Sequence, residues 1–229
     1  MLQVPEYVSI VFSLTTFFSI YFFYRASQNS KTILLVLLVW MFLQALLAYS
    51  GFYTNTGSMP PRLIFGLLPT FISIAVLFSI PSGKHFIKSL SPTHLLLIHT
   101  LRLPVELVLY WLSLYKAVPV IMTFEGANYD IFSGISALLL LLLTLRKQPV
   151  SSSLLVVWNL VCLGLLATIV GIAVLSAPFP FQQLAFDQPN VAVLYFPFVW
   201  LPTVVVPLVL LAHLAALYQL LNKTKNPLP

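Results

Sequence analysis

Charged residues are scarce here, at 7% of the 229 residues, against roughly a quarter in soluble domains. Apolar residues make up 60% and the mean hydropathy is +1.00. Too little polar surface is encoded to cover a water-soluble globule, so the expected solvent is lipid. Cysteine occurs once, as Cys162 within an apolar run. That excludes an internal disulfide, a CxxC redox pair and a zinc-finger ligand set, and leaves packing as its expected role. No lysine lies inside an apolar segment, which excludes a retinal Schiff base. Walker, GxGxxG, GxSxG and HExxH patterns are missing, and no segment is long enough to form a soluble catalytic domain. The expectation therefore leans against an enzyme. The net charge of +6 does not point to nucleic acid, because the basic residues occur in ones and twos without a run or stripe.

A helix crosses the hydrocarbon in roughly 20 residues. Apolar segments of about that length recur seven times, at 4–24, 32–49, 63–80, 94–115, 131–145, 154–175 and 191–221. The first has no basic leader, holds Pro5 and Glu6, and runs too long for a signal peptide, so it is expected to be retained. The fifth is the shortest. The last holds Pro197, Pro202 and Pro207 and is expected to tilt, kink or begin in the interface. Polar or Pro/Gly-rich stretches at 25–31, 51–62, 81–92, 146–153 and 177–190 read as loops. The expected fold is all-α, a single polytopic bundle of seven spans over 1–229.

Orientation follows from the cations. Arg25, Lys31, Lys84, Lys88, Arg146, Lys147, Lys223 and Lys225 fall on one side, and Arg62 and Lys116 on the other. Cations gather on the cytoplasmic side of short loops, so the N-terminus is expected outside and the C-terminus in the cytoplasm. Minimal loops, and a glycosylation pattern only at Asn222, Lys223 and Thr224 on the inner side, point to a bacterial cytoplasmic membrane.

Two formally charged residues lie deep within a span, Arg102 and Glu106, both in the fourth. With His99, Tyr110 and Ser113 they fall within an arc of about 80° on a helix. A polar stripe on an otherwise apolar helix is expected to face the bundle interior. At i, i+4 spacing Arg102 and Glu106 are expected to pair with each other. Pro104 between them removes the hydrogen bond to the Thr100 carbonyl and should kink the helix. Gln44, Asn159 and His213 reach comparable depth in spans two, six and seven, and converge with the stripe if those helices adjoin. His99 and His213 also raise axial ligation of a haem as an alternative; otherwise no cofactor and no metal site is expected. In the outer loop, Asp130 precedes an apolar run as an N-cap would. Glu125 has Lys116, Arg62 or a cation shared with Asp130 as candidate partners, and the loop is apolar enough to fold back as a lid.

Three functions fit these residues. One is a small-solute or proton-coupled carrier, with Glu106 and His99 exchanging protons and Arg102 holding an anionic moiety. Another is a subunit packed against a protein partner in the membrane; the third is an intramembrane haem or metal protein. Transport is favoured by the stripe and the proline-broken last span. The orientation is checked by reporter fusions: a fusion after the last span should be active only as a cytoplasmic reporter, and periplasmic activity there would reverse the assignment.

Overall fold

The computed structural model describes residues 2–223; Lys225, one of the inner-side cations, lies outside them. Among the described residues the regular structure is helical, without strands. The helices are α1 (Glu6–Ala26), α2 (Lys31–Tyr49), α3 (Ile64–Ser79), α4 (Pro81–Ser89), α5 (Pro92–Thr100), α6 (Arg102–Leu114), α7 (Ile131–Leu145), α8 (Ser152–Leu175) and α9 (Val206–Lys223). A π-helical turn, Leu201–Val205, leads into α9.

Five helical stretches are long and apolar enough to cross a membrane: α1, α2, α5 with α6, α8, and 201–222. The bent pair α3 and α4 makes a sixth when counted as one span, and α7, at 15 residues, is a shorter apolar helix. Their outward faces are consistent with lipid as solvent: Val36, Val39, Phe42, Val157, Leu160 and Val161 are all more than half exposed. Such a surface is stable in hydrocarbon and not in water.

The centre of the bundle is α5, which packs against α1, α7 and α9. Ile98, Ala212, Ala215 and Val8 are fully enclosed. In α1 the hydroxyls of Thr15, Thr16 and Ser19 donate to carbonyls one turn back, so this helix buries polar groups with their hydrogen bonds met. The helical stretch 92–114 breaks at Leu101, between α5 and α6, one turn before Pro104, whose missing N–H weakens the helix there.

The structure departs from the sequence reading at two segments. Residues 81–92, expected as a loop, hold α4, turned 94° from α3. Pro81 starts it at a position where a missing N–H costs nothing, and Ile80, held extended ahead of the proline, makes the corner. Gly83 lies against the Leu77 backbone, and the Gln219 amide donates to the carbonyls of Ile87 and Leu90, both at 2.8 Å. Residues 191–200, expected to open the last span, form turns with buried Val193, Leu194 and Phe198. Residues 192–194 make a single 3-10 turn, Pro197 disfavours helix at Phe196, and helix resumes at Leu201, beyond it. Two indoles tie α2 to this region: Trp40 Nε1 donates to the Thr203 carbonyl at 3.0 Å, and Trp200 Nε1 donates to the Met41 carbonyl at 2.9 Å.

The Gly83 contact is testable. A Cβ there would strike backbone, which cannot swing aside, so Gly83→Val should lower stability by about 1–3 kcal/mol. Gly164→Ala meets nothing within 4 Å and should be neutral or stabilising by up to about 1 kcal/mol. Thermal unfolding of the detergent-solubilised variants reads both.

Candidate functional site

The stripe on α5 and α6 becomes a buried network in which the side chains choose partners from other segments. Arg102 is 3% exposed. Its Nη1 donates to Asp130 Oδ1 at 2.7 Å, and its Nη2 lies 3.1 Å from His213 Nε2. A guanidinium can only donate, so Nε2 accepts and the His213 proton sits on Nδ1. That proton is donated to Asn159 Oδ1 at 2.8 Å, while Asn159 Nδ2 donates to the Leu155 carbonyl at 2.8 Å. One chain of hydrogen bonds thus runs from the start of α7 through α6 and α9 to α8. Close approach is permitted by Gly134, where a Cβ would lie 2.9 Å from Leu103 Cγ.

The expected pairing of Arg102 with Glu106 does not form. The loop between α6 and α7 folds inward and separates them: Asn128 Nδ2 donates to Glu106 Oε1 at 2.8 Å and Oε2 at 2.7 Å, and to the Met122 carbonyl at 3.0 Å. Two residues on, Asp130 takes Arg102. The Asp130 backbone N–H donates to Asn128 Oδ1 at 3.0 Å, so both insertions are fixed by one turn of chain. Asp130 does stand at the N-cap position of α7, but its carboxylate makes no capping bond to the backbone; it accepts from Ser133 Oγ at 3.1 Å instead. The desolvated guanidinium outcompetes a helix N-terminus for it.

His99 is 1% exposed and stacks on His213, with ring centroids 3.8 Å apart and planes 24° apart. Trp158 meets its edge. Neither nitrogen of His99 has a hydrogen-bond partner among the described residues. Rings stacked this closely, with both His213 nitrogens engaged, do not offer axial ligands on opposite faces of a haem. No group of three metal-ligating side chains occurs among the described residues.

The remaining sequence candidates lie apart from this network. Gln44 accepts from Tyr53 Oη and adjoins Gly66 and Thr203. Tyr110 is half-buried, its ring 5.0 Å from Phe124 of the loop between α6 and α7. Glu125 is exposed and has no ion pair among the described residues; Arg62 instead lies over the Phe52 ring and donates to its carbonyl. With Asp130 turned inward to Arg102, Glu125 has no second carboxylate with which to share a cation. Cys162 is buried, as a packing residue would be. Sequence reasoning missed Asn128, because a loop amide has no periodicity; its signal was an amide inside an unusually apolar loop.

Glu106 and Asp130 also line a cavity of about 290 Å³. Its walls are otherwise apolar, from α3, α6, α8 and the 177–206 region, including Leu67, Phe71, Leu109, Ile169 and Pro202. Asn190 is the one further polar lining residue. Its Nδ2 donates to the Ala173 carbonyl, and its buried Oδ1 has no partner among the described residues. Glu106, Asp130 and Asn190 are thus the polar residues beside an otherwise apolar cavity whose lining holds no cation. Arg102 and Asp130 cancel, and Arg102–Asp130 is the ion pair found among the described residues. An ionised Glu106 would leave one buried negative charge uncompensated, at a cost of several kcal/mol. A proton or a ligand cation closes the balance.

Residues 60–221 match the family model described as Domain of unknown function (DUF8737). No curated protein and no solved structure matches the chain.

The two carboxylates should respond unequally to mutation. Asp130→Ala strands a buried guanidinium and should cost about 3–5 kcal/mol. Glu106→Gln strands no charge and keeps an acceptor for Asn128, so it should change stability by about 1 kcal/mol or less. Thermal or denaturant unfolding in detergent checks the ranking, and equal losses would contradict the charge assignment.

Proposed function

The chain belongs to the family described as Domain of unknown function (DUF8737), and from the buried site inside the matched region we propose that it binds an apolar small molecule carrying a cationic or hydrogen-bond-donating group, with Glu106 exchanging its proton as the ligand enters. The observation behind this is one carboxylate without a counter-ion at the wall of an apolar cavity.

A protonated amine in that cavity would supply the positive charge that a proton on Glu106 otherwise supplies. Binding and proton release then become the same event, which is the elementary step of proton-coupled transport. The apolar lining accommodates the ligand's body, Asn190 Oδ1 offers a second acceptor, and Asn128 keeps the Glu106 carboxylate oriented. Arg102, already engaged by Asp130 and His213, serves to position the loop rather than to hold an anion.

The setting is a multi-pass protein of the plasma or inner membrane, bacterial by the shortness of its loops. We read seven crossings, counting α3 as the third and α7 as the fifth. At 15 residues α7 extends about 22 Å, and Arg146 and Lys147 follow it, as befits a short helix ending at a cationic interface. The N-terminus is then outside and the C-terminus cytoplasmic.

The test is calorimetric titration of the purified protein with 2-phenylethylamine, alongside 2-phenylethanol and phenylacetate. The amine should bind best and release about one proton per site, read from buffers of different ionisation enthalpy. Glu106→Gln should weaken it roughly tenfold or more, the scale of a charged hydrogen bond. Unchanged binding in that variant, or equal binding of phenylacetate, would reject the proposal. Amine-driven proton flux in proteoliposomes separates a carrier from a closed receptor.

A further inference from the structure

The wall of the Glu106 cavity reaches the outside of the bundle at one place. Three of its lining residues are exposed, Ile64 at 36%, Phe71 at 39% and Val174 at 41%. All three are apolar, and they come from two helices, α3 and α8. At 100° per residue, Val174 stands about 40° round α8 from Leu160, an exposed residue that takes no part in the lining. On α3, Ile64 stands about 40° and Phe71 about 60° from Leu68, which is likewise exposed and outside the lining. Deeper on the same α8 wall lie Leu166 and Ile169, both buried. The lining therefore runs from the bundle interior round to the lipid-facing surface of two helices. α3 packs chiefly on α4, the π-helical turn and α9, and α8 chiefly on α9 and the turn at 120–122.

Where the connecting segments line the cavity, it is shut. Met122, Ala177, Phe179 and Val193 all line it and are all buried. Gln188 Nε2 donates to the Ser113 carbonyl at 2.9 Å and the Val118 carbonyl at 2.6 Å. The backbone N–H groups of Val191 and Ala192 both donate to the Ala117 carbonyl, at 3.1 and 2.9 Å. These bonds stitch the chain after α8 to the chain after α6. The polar lining residues, Glu106, Asp130 and Asn190, are each buried, whereas the exposed ones are apolar. A ligand that crosses the exposed part of the wall therefore comes from hydrocarbon rather than from water.

We propose that the Glu106 cavity opens sideways into the bilayer through a portal between α3 and α8, and that its ligand is a long-chain amine taken from the membrane. The ammonium group lies beside Glu106, and the alkyl chain passes Ile64, Phe71 and Val174 into lipid. This ligand presupposes that the cavity binds amines, as proposed above; the portal supplies its route and its length. A dry cavity of about 150 Å³ holds benzene, so one of about 290 Å³ holds roughly a dozen carbons. A chain of sixteen carbons fits only if its end leaves through the portal. A phospholipid does not match the site, because its phosphate would bring negative charge to a buried carboxylate.

The test uses the full-length protein in phosphatidylcholine nanodiscs, loaded with a hexadecylamine that carries a photoreactive diazirine at its twelfth carbon. Crosslinks mapped by peptide mass spectrometry should fall on α3 near Phe71 and on α8 near Val174, and Glu106→Gln should reduce them about tenfold. Unlabelled hexadecylamine should protect at least as well as octylamine at equal mole fraction in the bilayer. Val174→Trp, which narrows the portal, should weaken hexadecylamine about tenfold relative to octylamine. Ile72→Trp, on α3 but outside the lining, should change neither. Both substituted positions are exposed, and a thermal melt confirms that each variant is folded. Protection by octylamine without protection by hexadecylamine would overturn the portal and leave the amine site standing. Crosslinks undiminished in Glu106→Gln would mark a chain lying on the lipid-facing surface, and would overturn it too. If neither amine protects and 2-phenylethylamine fails to bind in the titration, the amine site falls and the portal with it.

Discussion

The buried guanidinium of Arg102 is the constraint around which the central helices are arranged. A cation enclosed by a helical bundle in lipid has no water to fall back on, and its partners must come from the protein. Asp130 supplies the charge, and His213 supplies a neutral acceptor whose proton position is set by that very contact. Asn159 completes the chain by accepting from His213. The side chains come from α6, the start of α7, α9 and α8, so satisfying one cation specifies how four segments meet. The inward fold of the loop between α6 and α7 follows from the same requirement, since Asp130 cannot reach Arg102 unless the chain before it turns into the bundle.

The consequence for Glu106 is that it makes no ion pair among the described residues. Helical spacing favours its pairing with Arg102, and in a free helix that pair would form. Here the loop that delivers Asp130 also delivers Asn128, and the amide takes both carboxylate oxygens. A neutral donor thus replaces a cation beside a carboxylate facing an apolar cavity.

Much of this was legible in the sequence. The apolar segments, the single polar stripe on the fourth of them and the break before Pro104 follow from composition, periodicity and the missing proline N–H. That Asn159 and His213 face the bundle interior was also readable, since a polar side chain on an apolar helix avoids lipid. Which partner Arg102 takes was not readable, because Asn128 and Asp130 lie in a loop whose path no periodicity constrains. Residues 81–89 were misread for a different reason. Proline, serine and glycine at 81–83 look like loop punctuation, yet proline opens a helix well, and Gly83 with Ile87 and Leu90 marks a one-sided apolar face. Gln44 failed to join the cluster because Tyr53, on the turn after α2, meets it first.

The reciprocal bonds of Trp40 and Trp200 bear on how α2 sits on the bundle. Each indole reaches across to a carbonyl on the opposite segment, so α2 is riveted to the π-helical turn and the residue before it at two neighbouring points. A helix pinned twice can neither roll nor slide without losing both rivets. The register of α2 against the start of the last helix is therefore a built dimension of the protein.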